Sequence, residues 1–426
     1  MKVLVCGASG FIGTAVAARL AAAGHHVLRG VRHVERAGDV AIDYGADLQP
    51  CAWLDRLRGV DAVVNAVGII RENGAASFEA LHSGAPAALF AACAEAGVRR
   101  VVQVSALGAG QGDTAYFASK RAADEVLMSL PLEWIILRPA LVFGREGGSA
   151  AMFCRLASMP LTIAPALGAA RFQPLHVDDL ADAVVAALDP ETPAQRVFDI
   201  AGSTAVGYEG MLAAYRSGMG FAPAPVLRVP AALMALAARA GRSLPAALLT
   251  PDNWRMLRAG SALAQGDTAG AAATRELLGR APRAVTDFIP SAEREVFRLR
   301  ALAAWRASLL RWTLAIVWLA TALVSALIYP RAGSLALLAG VGIQGVPAVV
   351  ALYGAAALDA ALGIACIMRP RRALWLAQGA LILGYSVAIA ACLPEYLWHP
   401  FGPLLKNLPI LAILVILYAE EKTWTT

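Results

Sequence analysis

The chain has 426 residues, of which 58% are hydrophobic, and a mean hydropathy of +0.58. This composition is too apolar for an ordinary soluble protein, and the length leaves room for two or three domains. The formal net charge is +6, but basic residues do not cluster with aromatic ones, which argues against a nucleic-acid partner and for a basic surface beside a membrane. Charges are frequent up to Arg311 and sparse after it, so a soluble part should precede a lipid-facing part.

The six cysteines show no CxxC or other metal-ligand spacing. We therefore expect no metal site, and we expect the cysteines to be small core residues in a reducing compartment. The first residues lack the long apolar stretch and cleavage site of a signal peptide. The soluble part is accordingly expected to stay in the cytoplasm.

The chain opens with an apolar strand over residues 3–6, followed by glycines at positions 7, 10 and 13. In a dinucleotide-binding loop such glycines permit a tight turn, a close approach to the pyrophosphate, and tight packing of the next helix on the strand. That helix directs its amino-terminal amides at a phosphate. The loop residues expected to contact the dinucleotide are Gly7, Ser9, Gly10, Phe11, Ile12 and Gly13.

A second strand is predicted over residues 26–31, and Arg32 follows it directly. Sites that select NAD hold the ribose 2′-hydroxyl with an acid near this point, and none occurs here before Glu35. This favours NADP(H), with Arg32 on the 2′-phosphate; the alternative is a merely solvated arginine. Asp43 follows a third short apolar step over residues 40–42.

A further buried strand starts at Asp61 and ends in a turn of small residues. Ligands of parallel α/β sheets bind beyond the carboxyl ends of the strands, so this turn should pass close to the cofactor. Its residues are Asn65, Ala66, Val67 and Gly68.

The next strand ends at Ser105, and Tyr116 and Lys120 follow in the sequence Y-F-A-S-K. Residues four apart share one face of a helix, so the phenol and the ammonium can both point into the cleft. A tyrosine with a pKa of about 10 needs a nearby cation to exchange protons at neutral pH. We therefore predict that Ser105 holds a substrate oxygen, Tyr116 transfers the proton, and Lys120 holds the nicotinamide ribose and lowers the pKa of Tyr116. The alternative is an ordinary surface pair.

A strand over residues 133–139 leads into R-P-A-L-V-F-G, which places Pro139 near the cofactor. In the later H-V-D-D sequence, Asp178 or Asp179 is predicted to be the N-cap of a helix over residues 180–188. His176 is predicted to be a packed structural residue. Residues 207–289 should form a small subdomain whose apolar helix shapes a substrate pocket or is simply core.

The G-x-x-G-x-x-G spacing and the N-A-V-G turn resemble the extended or atypical branch of the short-chain dehydrogenase/reductase superfamily. The sequences S-A-L-G-A, Y-F-A-S-K, R-P-A-L-V-F-G and L-G-R-A-P-R resemble the nucleotide-binding accessory subunit of respiratory complex I, an NAD-dependent epimerase/dehydratase-like family. The resemblance implies an α/β fold over residues 1–290, with a Rossmann doubly wound parallel sheet and a small carboxy-terminal substrate subdomain. It also implies that Asp43 contacts the adenine, that NADP(H) binds tightly and that turnover is uncertain.

Residues 291–308 alternate arginines with apolar residues, which predicts an amphipathic connector lying against lipid headgroups. Four membrane crossings are predicted over residues 309–327, 347–368, 373–393 and 401–419. Arginines precede the first crossing and fill the loop at 369–372, whereas the other two loops hold little positive charge. The positive-inside rule then predicts an inner-membrane protein with both ends in the cytoplasm.

The sequences A-L-D-A-A-L-G, L-P-E-Y-L-W-H-P-F-G-P and L-L-K-N-L-P resemble the DoxX-like family. This resemblance implies an all-α four-helix transmembrane bundle over residues 309–426. Asp359 lies inside the second crossing, where it is either a functional carboxylate or a group that hydrogen-bonds between packed helices.

Two functional hypotheses follow. The first is a membrane-tethered NADP(H)-dependent oxidoreductase acting on a carbonyl or alcohol of an apolar, lipid-like or quinone-like substrate. The second is a catalytically silent NADP(H)-binding assembly or sensor protein, whose bundle contacts a membrane protein partner. In both, the lipid bilayer is a partner of the chain.

Overall fold

The computed structural model of the chain describes residues 1–72, 74, 76–241, 249–398 and 404–421. The chain divides into two compact units, Met1–Ala301 and Leu302–Thr426. Three sequence predictions fall partly outside the described residues: the small subdomain at 242–248, the L-P-E-Y-L-W-H-P-F-G-P sequence at 399–403, and the start of the fourth crossing at 401–403.

Where the sequence predicted a strand in the first unit, the observed bounds agree with the predicted ones to within two residues. They are β1 (Lys2–Cys6), β2 (His26–Val31), β3 (Asp39–Ala41), β4 (Ala62–Asn65), β5 (Arg100–Val104), β6 (Glu133–Pro139), β7 (Val142–Phe143), β8 (Thr162–Pro165), β9 (Leu175–His176), β10 (Arg196–Ile200) and β11 (Val226–Val229). In the described residues, seven of them form one sheet in the order β10-β6-β5-β4-β1-β2-β3. Every pairing in that sheet is parallel, so the predicted parallel sheet is confirmed.

Helices connect these strands and cover the sheet. They are α1 (Phe11–Ala22), α2 (Cys51–Leu54), α3 (Ala85–Glu95), α4 (Ala115–Met128), α5 (Gly148–Ser158), α6 (Val177–Leu188), α7 (Tyr208–Gly218), α8 (Ala231–Gly241), α9 (Pro251–Ala259), α10 (Thr268–Leu278) and α11 (Arg294–Leu323). Val3 and Val5 of β1 are buried in one core with α1 and α6, whereas Leu4 and Cys6 are buried in a second core with α3. Both faces of the sheet are therefore covered, as a doubly wound fold requires.

The aromatic cluster of the first unit packs beyond the carboxyl end of β6. The ring of Phe143 stacks on Tyr215 at 4.7 Å, on Phe288 at 5.1 Å and on Phe297 at 5.8 Å, between ring centroids. Phe297 and Ala301 belong to the first turns of α11 and are buried in this cluster. The segment predicted as a connector against headgroups is thus the start of one continuous helix, and these two residues face protein because aromatic partners are available to them.

The second unit contains α12 (Arg331–Gly340), α13 (Gly345–Met368), α14 (Arg372–Cys392) and α15 (Asn407–Glu420), besides the end of α11. In the described residues, three helical segments are long and apolar enough to cross a membrane: Ser291–Ile328, Gly345–Met368 and Arg372–Cys392. They coincide with the first three predicted crossings. The helix at the fourth predicted crossing, α15, is apolar but has only 14 residues within the described part of the chain.

Candidate functional site

The glycine loop joins β1 to α1 at the carboxyl edge of the sheet. Gly7 has a φ of +81°, a conformation that strongly favours glycine. A Cβ on Gly13 would lie 2.0 Å from the carbonyl oxygen of Gly7, so a larger residue cannot occupy position 13 without moving the loop. Ser9 and Gly10 are exposed at the start of α1. The loop therefore leaves open backbone in front of the helix amides, which fits the diphosphate of a dinucleotide.

The small-residue turn after β4 lies against this loop. A Cβ on Gly7 would be 3.0 Å from Cγ2 of Val67 and 3.2 Å from its backbone nitrogen. Asn65 is buried, and its Oδ1 accepts hydrogen bonds from the Tyr44 hydroxyl at 2.9 Å and from the Val67 amide at 3.2 Å. Asn65 thus shapes the turn from inside the protein, while Ala66, Val67 and Gly68 remain partly or fully exposed.

Lys120 connects α4 to that turn. Its Nζ donates to the carbonyl oxygens of Val67 and Val104, each at 3.3 Å, and lies 3.0 Å from where a Cβ on Gly68 would be. The side chain is buried, and burial lowers its pKa to about 8 against the opposing effect of Asp124. The predicted lysine is therefore in place at the turn that should meet the cofactor.

Tyr116 lies one helical turn before Lys120 and is half-buried. Its ring contacts those of Phe117, His82 and Phe78, with centroid distances of 5.3, 5.6 and 6.1 Å. Burial raises the pKa of Tyr116 to about 12. This is opposite to the lowering that we expected from Lys120, and burial of the phenol is its cause. Tyr116 is consequently protonated at neutral pH.

Ser105 is buried directly after β5, and its hydroxyl donates to Oδ2 of Asp124 at 2.9 Å. Nε and Nη2 of Arg138 donate to the same carboxylate oxygen, both at 3.0 Å. The sequence prediction gave Ser105 the task of holding a substrate oxygen. In the structure its proton is directed at Asp124, which leaves only the lone pairs of the hydroxyl oxygen for another partner.

The remaining predicted cofactor residues lie at the same edge of the sheet. Arg32 is exposed beyond β2 and makes no ion pair with a described residue, whereas the nearby Arg29 pairs with Asp39 at 3.1 Å. Asp43 is exposed, and its Oδ1 accepts the Gly45 amide at 2.9 Å. Pro139 ends β6 and is buried; its carbonyl oxygen accepts a backbone hydrogen bond.

Comparison with known families covers both units. Residues 7–153 match the NAD(P)H-binding family, and residues 315–415 match the DoxX-like family. The chain therefore carries an NAD(P)H-binding Rossmann domain and a DoxX-like domain. The first holds the glycine loop and the Tyr116–Lys120 pair, and the second holds the apolar helices. Together these findings indicate insertion into a membrane.

Curated relatives of the NAD(P)H-binding domain include two mitochondrial proteins. The chain is 33% identical over 201 residues to the Arabidopsis thaliana mitochondrial NADH dehydrogenase [ubiquinone] 1 alpha subcomplex subunit 9, covering 43% of this chain and 49% of that protein. It is 28% identical over 210 residues to the 40 kDa subunit of Neurospora crassa NADH-ubiquinone oxidoreductase, covering 46% of this chain and 55% of that protein. The chain thus spans about half the length of these relatives.

Solved structures with the same fold include two enzymes of different activity. The UDP-N-acetylglucosamine 4-epimerase of Bacillus cereus superposes with a TM-score of 0.52 at 18% identity, covering 70% of this chain and 96% of the epimerase. An NADPH-dependent quinone oxidoreductase of Escherichia coli, complexed with NADPH, superposes with a TM-score of 0.53 at 17% identity, covering 68% and 98%. At these identities the comparison shows the fold alone.

His82 lies beside the candidate site, and the sequence analysis did not name it. Its Nε2 accepts the Ile69 amide at 2.9 Å, and its Nδ1 lies 2.9 Å from Oγ of Ser119. Burial, together with the charge of Lys120, lowers the pKa of His82 to about 3, so the ring stays neutral. It therefore ties the turn after β4 to α4. A single histidine gives no sequence signal of such a contact. In the structure, His82 lies on a π-helical segment, Glu79–Gly84, and such segments are frequent at functional sites.

The predicted N-cap of α6, Asp178 or Asp179, is wrong by two or three residues. The helix begins at Val177, and His176 is the cap: its Nδ1 accepts the Asp178 amide at 3.2 Å. The two acids lie in the first turn, where the helix dipole favours them, and arginines of the L-G-R-A-P-R sequence bind them. Arg283 pairs with Asp178 and Arg280 pairs with Asp179, each at 2.6 Å.

Proposed function

We propose that the chain is a membrane-tethered NADP(H)-dependent oxidoreductase that acts on a carbonyl or alcohol group of an apolar, lipid-like or quinone-like substrate. The observation that carries this proposal is the position of Tyr116 and Lys120, one turn apart on α4, with Lys120 Nζ bonded to the carbonyl of Val67 in the turn that packs on Gly7. The organisation we propose is a cofactor domain over residues 1–290, a connector over 291–308 and a bundle over 309–426.

In this proposal each group at the cleft has a distinct task. NADPH, when bound, supplies a hydride to the substrate carbonyl carbon. Tyr116 gives its phenolic proton to the carbonyl oxygen, a role that suits a group protonated at neutral pH. Lys120 would hold a ribose hydroxyl with the N–H donor that its two carbonyl partners leave free. The protonation state of Tyr116 favours reduction of a carbonyl over oxidation of an alcohol at neutral pH.

The preference for NADP(H) rests on Arg32, an exposed guanidinium at the carboxyl end of β2. We expect Arg32→Ala to weaken NADPH binding by about 10- to 100-fold, the effect of one or two charge-assisted hydrogen bonds. NADH binding should change little. Arg58→Ala is the matched control, because Arg58 is exposed before the start of β4, at the opposite edge of the sheet. Equal loss of both nucleotides in Arg32→Ala would refute the assignment.

The choice of an apolar substrate rests on the tether, since the DoxX-like domain keeps the cleft close to a bilayer. We propose that the chain lies in the inner membrane with the NAD(P)H-binding domain and the carboxyl terminus in the cytoplasm, because its basic residues flank the crossings on that side. Reporter fusions at both ends of the chain test this orientation. A periplasmic signal from either end contradicts it.

Activity is tested by oxidation of NADPH with a panel of lipid aldehydes, ketones and quinones. Tyr116→Phe should abolish turnover and leave NADPH affinity within about two-fold, because the phenolic proton takes no part in binding the nucleotide. Tyr208→Phe is the control, since Tyr208 is buried in a separate cluster. Turnover that survives in Tyr116→Phe would remove Tyr116 from the mechanism.

The second candidate function is a cofactor-holding assembly or sensor protein. Two contacts favour it: the Ser105 hydroxyl donates its proton to Asp124, and Lys120 donates two of its three N–H groups to backbone carbonyls. Two relatives are also described as subunits, one of an NADH dehydrogenase and one of an NADH-ubiquinone oxidoreductase. Protein that purifies with NADP(H) that no member of the panel oxidises, together with a Tyr116→Phe variant that is neutral in cells, would establish this function instead.

A further inference from the structure

Asp359 is a buried acid in the DoxX-like domain to which the cofactor chemistry assigns no role. It lies within α13, and only 6% of the residue surface is exposed. The buried residues of α13 follow one stripe along the helix, which includes Ala348, Leu352, Ala356, Asp359, Gly363 and Cys366. The carboxyl therefore lies on the face of α13 that packs inside the unit rather than on a face left to lipid.

One oxygen of this carboxyl has no hydrogen-bond partner. Oδ1 of Asp359 is buried, and no described residue bonds to it. Among the described residues of this unit, the other buried polar side chain is Gln378, which accepts from Nε1 of Trp318 at 2.8 Å and donates to Sγ of Cys366 at 3.2 Å. Because an unpaired polar group in an apolar interior is costly, the partner of Asp359 is something that these residues do not supply.

The charged groups around Asp359 narrow the choice of that partner. From α14, the phenol of Tyr385 lies within electrostatic range of the carboxyl. Residues 312–328, whose last turns pack against α13, contain no titratable side chain. Arg331 begins α12, which also packs against α13. Arg306 and Arg311 of α11 pair with Glu420 and Glu421, the second pair at 2.9 Å. No described residue bonds to Oδ1 of Asp359, so none of these cations is paired with that oxygen.

A metal cation is a poor fit for this position. Sodium, magnesium and calcium ions require several oxygen ligands, and the described residues contain no group of three or more acidic, histidine or cysteine side chains that could hold one. We propose that Asp359 is a proton-binding site of the DoxX-like domain. The carboxyl holds a proton while its surroundings are apolar, and it releases that proton to water that enters the bundle. At neutral pH, protonating the carboxyl of Asp359 and leaving its carboxylate unpaired inside the bundle cost free energies of similar order. The site can therefore exchange its proton.

Carbodiimide labelling of the full-length chain in lipid nanodiscs tests the proposal without a mutation. Dicyclohexylcarbodiimide adds to protonated carboxyls in apolar surroundings, and peptide mass spectrometry locates the adduct. We expect at least ten-fold more adduct on Asp359 than on Glu420 and Glu421, decreasing as the pH is raised. Adducts on the two glutamates but not on Asp359 would overturn the proposal. Protection of Asp359 by sodium but not by potassium would overturn it in favour of a metal cation.

Infrared spectroscopy of the same preparation gives a direct measurement. The difference spectrum between the wild type and Asp359→Asn should contain the carbonyl stretch of a carboxylic acid, replaced by carboxylate bands on alkaline titration. If Asp359→Asn does not fold, Asp359→Glu retains the acid and should shift that band. Carboxylate bands already present at neutral pH would contradict a bound proton. An acid band that survives alkaline titration would contradict proton exchange.

Discussion

Phe11 and Gly144 are in contact at the entrance to the cofactor cleft. A Cβ on Gly144 would lie 2.7 Å from Cε2 of the Phe11 ring and 2.7 Å from Cγ1 of Val177. The glycine loop therefore rests on the turn that follows β7. On the far side of this turn, Nη1 of Arg300 donates to Oε1 of Glu146 at 2.9 Å. The turn is thus held between the cofactor loop and the first turns of α11.

We predict that Gly144→Ala weakens dinucleotide binding by about ten-fold or more, because the added methyl group displaces Phe11 and with it the amides at the start of α1. Fluorescence titration with NADPH measures the effect. Gly148→Ala is the matched control, since a Cβ on Gly148 meets nothing within 4 Å. Equal affinity in the two variants would mean that Phe11 does not set the position of the loop.

The pair of Asp124 and Arg138 should dominate the stability of this region. Asp124 is fully buried, and removing one partner of such a pair typically costs about 3–5 kcal/mol, because the other charge remains buried and unpaired. We predict a loss of that order in Asp124→Asn. The measurement is the urea midpoint of the Met1–Ala301 unit, followed by pulse proteolysis of the full-length chain.

The control for Asp124→Asn is Asp252→Asn, which breaks the exposed pair with Arg255 at 3.3 Å. Exposed pairs contribute about 0–1 kcal/mol, so this variant should unfold close to the wild type. If both variants lose the same small free energy of unfolding, the buried network around Ser105 does not determine the stability of this region.

His82 leads to a prediction of how the stability of the folded protein changes at acidic pH. Its pKa is lowered to about 3 in the folded protein, below the ordinary value of about 6.5 in the unfolded chain. Between those values the unfolded chain binds more protons, so stability falls as the pH is lowered through this window. The slope contributed by one such group reaches about 1.4 kcal/mol per pH unit.

The variant that checks this slope is His82→Gln, whose amide oxygen can accept the Ile69 amide in place of Nε2. Unfolding midpoints of the wild type and the variant, measured from pH 7 to pH 4, should converge as the pH falls. His26→Gln is the control, because His26 is exposed at the start of β2. Parallel curves for wild type and His82→Gln would show that His82 is not the group responsible.

The sequence was sufficient for those features that depend on local patterns. Apolar runs, glycines and helical spacing were enough to predict the bounds of β2 and β6 and the parallel sheet. They also placed Tyr116 and Lys120 on one helix. The contact of Ser105 with Asp124 did not follow from any of these patterns.

The features that were missed involve a choice between partners far apart in the chain. Ser105 had either a substrate or a buried acid to bond, and only packing brought Asp124 and Arg138 to it. The N-cap of α6 is His176. The two acids predicted for that role, Asp178 and Asp179, instead bind Arg283 and Arg280, about a hundred residues later. Likewise, Phe297, which lies in the segment predicted to contact lipid headgroups, stacks on Phe143 instead.

Lys120 gives a pH dependence of the same sign as His82, but in an alkaline window. Its pKa is lowered to about 8, below the ordinary value of 10.5, so the unfolded chain binds more protons between these values and stability rises with pH across this interval. Lys120→Met should remove this rise and stabilise the unit at pH 7 by about 1–2 kcal/mol, the cost of the buried charge less that of two lost hydrogen bonds. The same variant should bind NADPH more weakly, because the ribose loses its donor. A variant that is less stable than the wild type at pH 7 would mean that the contacts of Lys120 with Val67 and Val104 outweigh the burial of its charge.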